Sequence, residues 1–240
     1  MSSSIKAVLG ISWDPNCVTL MDSFQKKELR IVLFRLKKIL PDFVFCDARL
    51  EENPLTFSEV KTLMDGVSIG GRKISDVEQV LNLKRAWSRL ALIVSDGSFG
   101  LTKEVFCEVN ALVAFEESLE WGKFRTGNVG IGGTSYKPPR WEELPDRFAR
   151  GIEVIESIGN PVERAMAFSL WTAREQFFFD GNKRTGRIMM SGELMKNGFD
   201  AVSIPDSFRL EFNEKMLRFY DSGDATEMMK FYKGLIPDLE

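Results

Sequence analysis

Residues 175–187 read EQFFFDGNKRTGR, and the fold depends on how this stretch is divided between helices. Upstream of it, Pro161 opens a run that is apolar on nearly every face, with Ala165, Met166, Ala167, Phe168, Leu170 and Trp171. That is the pattern of a helix central to its domain. Asp180-Gly181-Asn182 is a strong turn signal, so this helix is expected to end near Phe179 and another to begin at about Lys183 or Arg184. Free N–H groups at the second helix's N-terminus, beside the positive end of its dipole, make a ready anion site. Arg184 and Arg187 lie three apart and are expected to reach one face of the first turns. Planar guanidinium groups suit bidentate phosphate contact. Cations at a helix N-terminus run against the dipole, and bound phosphates would explain their placement. The residues alone leave a second reading open, in which both arginines pair with nearby acids and the turn is a connection. A P-loop is excluded, because no G-x-x-x-x-G-K-(S/T) occurs.

The 240 residues suffice for a full core, and 44% hydrophobic with 28% charged residues is ordinary for a soluble globule. A net charge of −3 gives no global reason to expect nucleic-acid or membrane-surface binding, so any anion site must be local. No apolar run approaches a transmembrane length, and the first residues lack the plan of a signal peptide. Cys17, Cys46 and Cys107 are far apart, which suggests free thiols in a reducing cytoplasm, and neither a disulfide framework nor a zinc site. The chain has no histidine. Ser-His-Asp and Cys-His catalysis are therefore excluded, and general-base chemistry would fall on Asp, Glu, or a perturbed Lys or Tyr.

Elsewhere the chain reads as mostly helical. Residues 1–15 suggest a short strand or irregular lead-in, a helix is expected in the second half of 21–40, and 41–53 reads as a separate short element. Thr56 and Glu59 form a capping box for a helix stopped by Gly66. Helices are also expected over 75–94, over 102–118 from Thr102, and over 140–158. Further ones are expected from Pro161, over 184–199, and at 207–223 and 225–235. Residues 125–139, RTGNVGIGGTSYKPP, alternate β-branched and aromatic residues with glycines and read as a hairpin.

The stretch QFFFDGNKRTGR resembles the signature of the Fic family, H-x-F-x-(D/E)-G-N-x-R-x-x-R, at every defined position except the first. The segment GKFRTGNVGIGGTSYKPP resembles that family's flap hairpin, entered through its G-x-(Y/F)-R. RLEENPLTFSEVKTLMDG with VLNLKRAW is similar to the region of members that carry an N-terminal inhibitory helix. The resemblance runs from about Asp47 to Ile204. It implies a Fic-fold helical bundle with a β-hairpin flap and an N-terminal extension. The expected division is an extension over 1–45, a helical region with the inhibitory helix over 46–100, a Fic core over 101–204 and C-terminal helices over 205–240.

The resemblance further implies transfer of AMP from ATP to a hydroxyl of a target protein. Gly181, Asn182 and Lys183 would then surround the α- and β-phosphates, and Asp180 would hold Mg²⁺ as a hard oxygen ligand. Arg184 and Arg187 would clamp the β- and γ-phosphates. Phe178 would anchor the turn in the core. The flap, about Val129 to Tyr136 and including Gly130 and Ile131, would hold a target segment by strand pairing. Glu51 corresponds to the inhibitory glutamate that reaches Arg187, although Asp47 stands where a Ser or Thr is usual and Glu52 where a glycine is. The motif histidine is replaced by Gln176, an amide that cannot hold a proton near pH 7. Asn110 also stands where relatives often have His. Three readings follow: a nucleotide-binding protein impaired in transfer, an enzyme that adds or removes AMP with another base such as Glu51, Asp47 or Asp180, and a non-catalytic interaction module.

Overall fold

The apolar run from Pro161 is a helix at the centre of the molecule. The computed structural model describes residues 2–18 and 26–236; the start of the 21–40 stretch and the last four residues lie outside the described residues. Among the described residues the α-helices are α1 (Ser2–Leu9), α2 (Leu29–Leu50), α3 (Phe57–Met64), α4 (Ile74–Ser95), α5 (Lys103–Val113), α6 (Leu144–Glu156), α7 (Pro161–Glu175), α8 (Asn182–Lys196), α9 (Arg209–Ser222) and α10 (Thr226–Leu235). Helix α7 is buried along almost its whole length and packs chiefly on α8. Two glycines permit close approach to α8. A Cβ on Gly186 would lie 3.0 Å from Thr172 Oγ1, and one on Gly192 would lie 2.3 Å from the Phe99 ring. Helices α4 and α5 pack on the other side of α8, with α2 against α4. The expected caps at Thr56, with its reciprocal Glu59 bond, and at Thr102 both form.

Several local expectations are corrected. Residues 2–9 form a helix, not a strand, and Leu9 at its end and Ile11 beyond it are fully buried. Helix α2 continues through Pro41, so 29–50 is one element. Burial of Phe43, Val44, Ala48 and Leu50 on the far side outweighs the one ladder bond that proline removes. Helix α5 stops at Val113 and α7 at Glu175, each earlier than expected.

The β-hairpin is also not there. Residues 125–139 form no strand, and the bridge between Ser12 and Asp224 is the isolated β-pairing among the described residues. Side chains shape the loop instead of a ladder. Arg125 donates to the carbonyls of Gly127 (2.7 Å) and Pro139 (2.5 Å), closing its base. At the far end, Ser135 N–H donates to Asp221 Oδ1 at 3.1 Å, joined there by the Thr134 and Ser135 hydroxyls. Glycines at 127, 130, 132 and 133 leave few side chains for cross-strand pairing, which is the unit of sheet stabilisation.

Candidate functional site

Helix α7 ends because Gln176 adopts a left-handed conformation, φ 53° and ψ 60°, with its N–H still donating to Thr172 O at 3.2 Å. For a residue with a Cβ this costs about 1–2 kcal/mol. Three contacts hold it there. The Gln176 carbonyl accepts from Arg125 Nε at 2.6 Å, and its Nε2 donates to Ala173 O at 2.6 Å. Its Oε1 accepts from Asn182 Nδ2 at 3.1 Å. Asn182 also clasps Phe178, donating to its carbonyl at 2.8 Å and accepting its N–H at 2.9 Å. Phe177 and Phe178 are fully buried against Phe106, with ring centroids 5.8 and 4.7 Å away. Each ring contributes about 1.5–3 kcal/mol by burial, so the phenylalanine run anchors the turn. Phe179 points to the site's edge and lines the cavity described below.

Gly181 is required by its backbone. Its φ is +75°, and a Cβ would lie 3.1–3.2 Å from Val113, Ala114 and Asn110. Asn110 is buried and ties α5 to the turn, donating to Asp180 O (3.1 Å) and Thr185 Oγ1 (3.3 Å) and accepting from Gly122 N–H (3.0 Å). The α8 ladder starts with Thr185 N–H on Gly181 O at 2.8 Å. The N–H groups of Asn182, Lys183 and Arg184 precede it and stand at the positive end of the helix. Asp180 is exposed, its Oδ1 accepting the Gly181 N–H at 2.5 Å.

The two motif arginines diverge and each meets acids, which is the pairing the residues alone left open. Arg184 is buried and donates to Glu117 at 2.7 Å and to Asp180 at 3.4 Å. Burial disfavours its charge, but Glu51, Glu117 and Asp180 outweigh this and raise its pKa. Arg187 is buried more deeply, donating from Nε (3.1 Å) and Nη2 (2.9 Å) to Asp47 Oδ1. Trp87 Nε1 holds the other oxygen of Asp47 at 2.9 Å.

Glu51 caps the C-terminus of α2 directly over the turn. Its Oε2 lies 4.0 Å from Lys183 Nζ and its Oε1 3.8 Å from Arg187 Nη2. Burial pushes the Glu51 carboxyl up, but Lys183, Arg184 and Arg187 together hold it below the usual carboxylate value. Glu52 turns away, with φ 62°, to an ion pair with Arg209. The left-handed residue in place of the usual glycine is thus accommodated.

A cleft of about 70 Å³ lies between Glu51, Gln176 and residues 179–184. It opens on a larger cavity of about 600 Å³, bounded by Glu51, Gln176, Asp180, Lys183, Tyr220 and the loop at Gly130, Ile131 and Gly132. Neither is lined by Arg187. Of the loop residues expected to dock a target, Gly130 and Ile131 reach the cavity, whereas Val129 and Tyr136 do not line it. The Tyr136 ring is taken by Arg174, 3.9 Å from its centroid. Sequence reading missed Glu117 and Arg125 as site residues. Arg125 stood inside the quoted G-x-(Y/F)-R, while Glu117 lay in residues read as helix and had no signal of its own.

Residues 100–194 match the model of the Fic/DOC family. Among curated relatives, "Protein adenylyltransferase Fic" of Drosophila ananassae is 24% identical over 187 residues, covering 76% of this chain and 37% of that protein. The Culex quinquefasciatus protein of the same name is 23% identical over 194 residues, 78% of this chain and 38% of its own. The chain thus spans well under half the length of these relatives. Among solved structures, a Fic family protein of Desulfovibrio desulfuricans has a TM-score of 0.70 at 17% identity, covering 92% of this chain and 72% of that one. Fic-1 of C. elegans has 0.64 at 19% identity, with 98% and 72% covered. IbpAFic2, solved in complex with adenylylated Cdc42, has 0.50 at 15% identity, with 80% and 69% covered. Residues 100–194, which carry the signature turn, thus match the Fic/DOC family, and the chain shares the fold of solved Fic proteins.

Proposed function

We propose that the chain is a Fic-fold protein of the protein-adenylylation class that binds ATP at the 180–187 turn, is held shut by Glu51, and is impaired in transfer because Gln176 replaces the proton acceptor. The observation that carries this reading is the position of Glu51. A carboxylate lies within ionic reach of Lys183 and Arg187 over a helix N-terminus, so an internal anion stands where a phosphate would bind. The Asn182, Lys183 and Arg184 N–H groups with the Lys183 ammonium would receive the α- and β-phosphates.

Asp180 suits Mg²⁺, because its carboxylate is exposed at the cavity wall. Among the described residues no group of three or more acidic, Cys or His side chains could hold a metal alone. That fits an ion shared between one carboxylate, water and nucleotide phosphates. Bound there, the ion would neutralise developing charge on the phosphates.

Gln176 faces the same cavity but cannot accept a proton, and loss of a general base typically lowers rate about 10²- to 10⁴-fold. Two of the alternative bases are less suited. Glu51 is held below the usual carboxylate range by three cations, which makes it a weaker acceptor, and Asp47 is buried on Arg187. A target protein would lie along the exposed glycines 130, 132 and 133, whose main chain is open to pairing. IbpAFic2 shows that another Fic protein holds an adenylylated partner. In this reading residues 46–100 carry the inhibitory helix and 101–204 the nucleotide site.

No described helix is long and apolar enough to cross a membrane. The three thiols are unpaired, with burial pushing Cys46 and Cys107 up to about 11, which suits the reducing cytoplasm. Calorimetry with ATP and Mg²⁺ tests the reading. Binding by the chain that tightens in Glu51→Gly supports it, and no binding by either overturns it. Labelled-ATP transfer is expected only in the Gln176→His, Glu51→Gly double variant, so robust transfer by the unmodified chain would overturn the impairment.

A further inference from the structure

We propose that Asp47 sets the length of phosphate chain this site accepts, so that a nucleoside diphosphate binds at least as tightly as a triphosphate even when Glu51 is removed. This rests on the nucleotide reading above and deepens it.

The observation behind it is that Arg187 is already neutralised from within the fold. Two of its nitrogens converge on one oxygen of Asp47, at 3.1 and 2.9 Å, and both side chains are about 3% exposed. Trp87 Nε1 pins the second oxygen at 2.9 Å, so the carboxylate is fixed at both ends. The Phe212 ring lies 5.6 Å from the guanidinium carbon, and Arg187 lines neither cavity at the turn. Its Nη1 is buried without a hydrogen-bond partner among the described residues, as is Glu51 Oε1.

Asp47 lies one helical turn before Glu51, on the same face of α2. Removing Glu51 uncovers Arg187 on the cavity side but leaves the Asp47 charge beneath it. A third phosphate reaching for Arg187 would meet a guanidinium whose charge is matched, with a fixed carboxylate in its own vicinity. Like-charge juxtaposition of this kind opposes binding. Two phosphates avoid it. The turn's N–H groups and Lys183 face the cleft and owe nothing to Arg187. A Ser or Thr at 47 would bond the guanidinium without cancelling its charge.

The test compares ADP·Mg²⁺ with ATP·Mg²⁺ by calorimetry in Glu51→Gly. ADP is expected to bind as tightly as ATP or more tightly; ATP binding the tighter of the two would overturn the proposal. Adding Asp47→Ser is expected to shift the preference toward ATP by at least about tenfold. Asp47→Asn, which keeps an acceptor for Trp87, serves the same purpose if the serine variant does not fold. An unchanged ADP:ATP ratio in a folded Asp47 variant would overturn it as well. Absence of binding by both nucleotides is a different failure, since it refutes the nucleotide site itself.

Discussion

Arg125 offers a severe test of how the site is held, because one side chain joins the loop to the turn. Its guanidinium is 1% exposed and donates to three carbonyls, those of Gln176 (2.6 Å), Gly127 (2.7 Å) and Pro139 (2.5 Å). Its own N–H donates to Phe177 O at 2.9 Å. Among the described residues no carboxylate bonds it, and burial pushes its pKa below the ordinary arginine value. Its stabilising role must therefore come from the carbonyls. Replacing it by methionine removes three charge-assisted bonds of about 1.5–3 kcal/mol each. Water can re-solvate the carbonyls nearer the surface, so the sum is not additive, and about 3–5 kcal/mol is expected. For a chain of this size that lowers Tm by on the order of 10 °C. Arg125→Lys keeps the charge but cannot span three acceptors in one fork, so it should recover only a minority of the loss. Calorimetry gives the stability, and limited proteolysis within 126–139 reports whether the loop base has opened. Melting of both variants within about 2 °C of the parent, with unchanged cleavage, would refute the claim that Arg125 closes the loop.

Two further outcomes follow from the turn and its lock. Asn182→Ala loses the Phe178 clasp and the Gln176 contact, and should destabilise by about 1–3 kcal/mol in denaturant unfolding while weakening nucleotide binding; a neutral effect on both would show that the clasp is dispensable. The pH dependence follows from the direction of the Glu51 shift. A carboxyl held below its ordinary value of 4.5 contributes its ionic contact fully above that value and loses it only as pH falls through the lower folded value. ATP affinity of the unmodified chain should therefore be as suppressed at pH 5.5 as at pH 7.5. A rise at pH 5.5 that is absent from Glu51→Gly would contradict this.

The helical order and the turn were legible because their signals are local. Thr56 with Glu59, Thr102, Pro161 and Asp180-Gly181-Asn182 each act through backbone groups within a few residues. What could not be read is what crosses the chain. Pro41 looked like a boundary, yet α2 passes through it because the following turns bury Phe43, Val44 and Leu50 against other helices. The glycine-rich loop had the alternation of a strand, but the described residues offer no strand beside it, and Asp221, 86 residues from Ser135, and Arg125, 14 from Pro139 and 51 from Gln176, decide its path. The same holds for the arginines. Spacing put Arg184 and Arg187 on one face, while Glu117 and Asp47, 67 and 140 residues away in sequence, draw them apart.

Gln176 is where local and distant constraints meet, and substitution there can separate them. The left-handed backbone at 176 disfavours any residue with a Cβ by about 1–2 kcal/mol, and glutamine tolerates it because both ends of its amide are engaged. That engagement has a chemical consequence. One N–H and one lone pair of the amide remain for a substrate, so the side chain braces the turn while it lines the cavity. Alanine at 176 keeps the backbone strain and loses both bonds, so Gln176→Ala should destabilise by about 1–2 kcal/mol. Glycine also loses the bonds but relieves the strain, so Gln176→Gly should be more stable than the alanine variant by about 1 kcal/mol and close to the parent. Histidine is among the residues enriched in this conformation, so the double variant proposed for transfer should fold. The ordering of the alanine and glycine variants in urea unfolding decides the matter. Equal stability would mean that position 176 is not strained and that the early end of α7 has another cause.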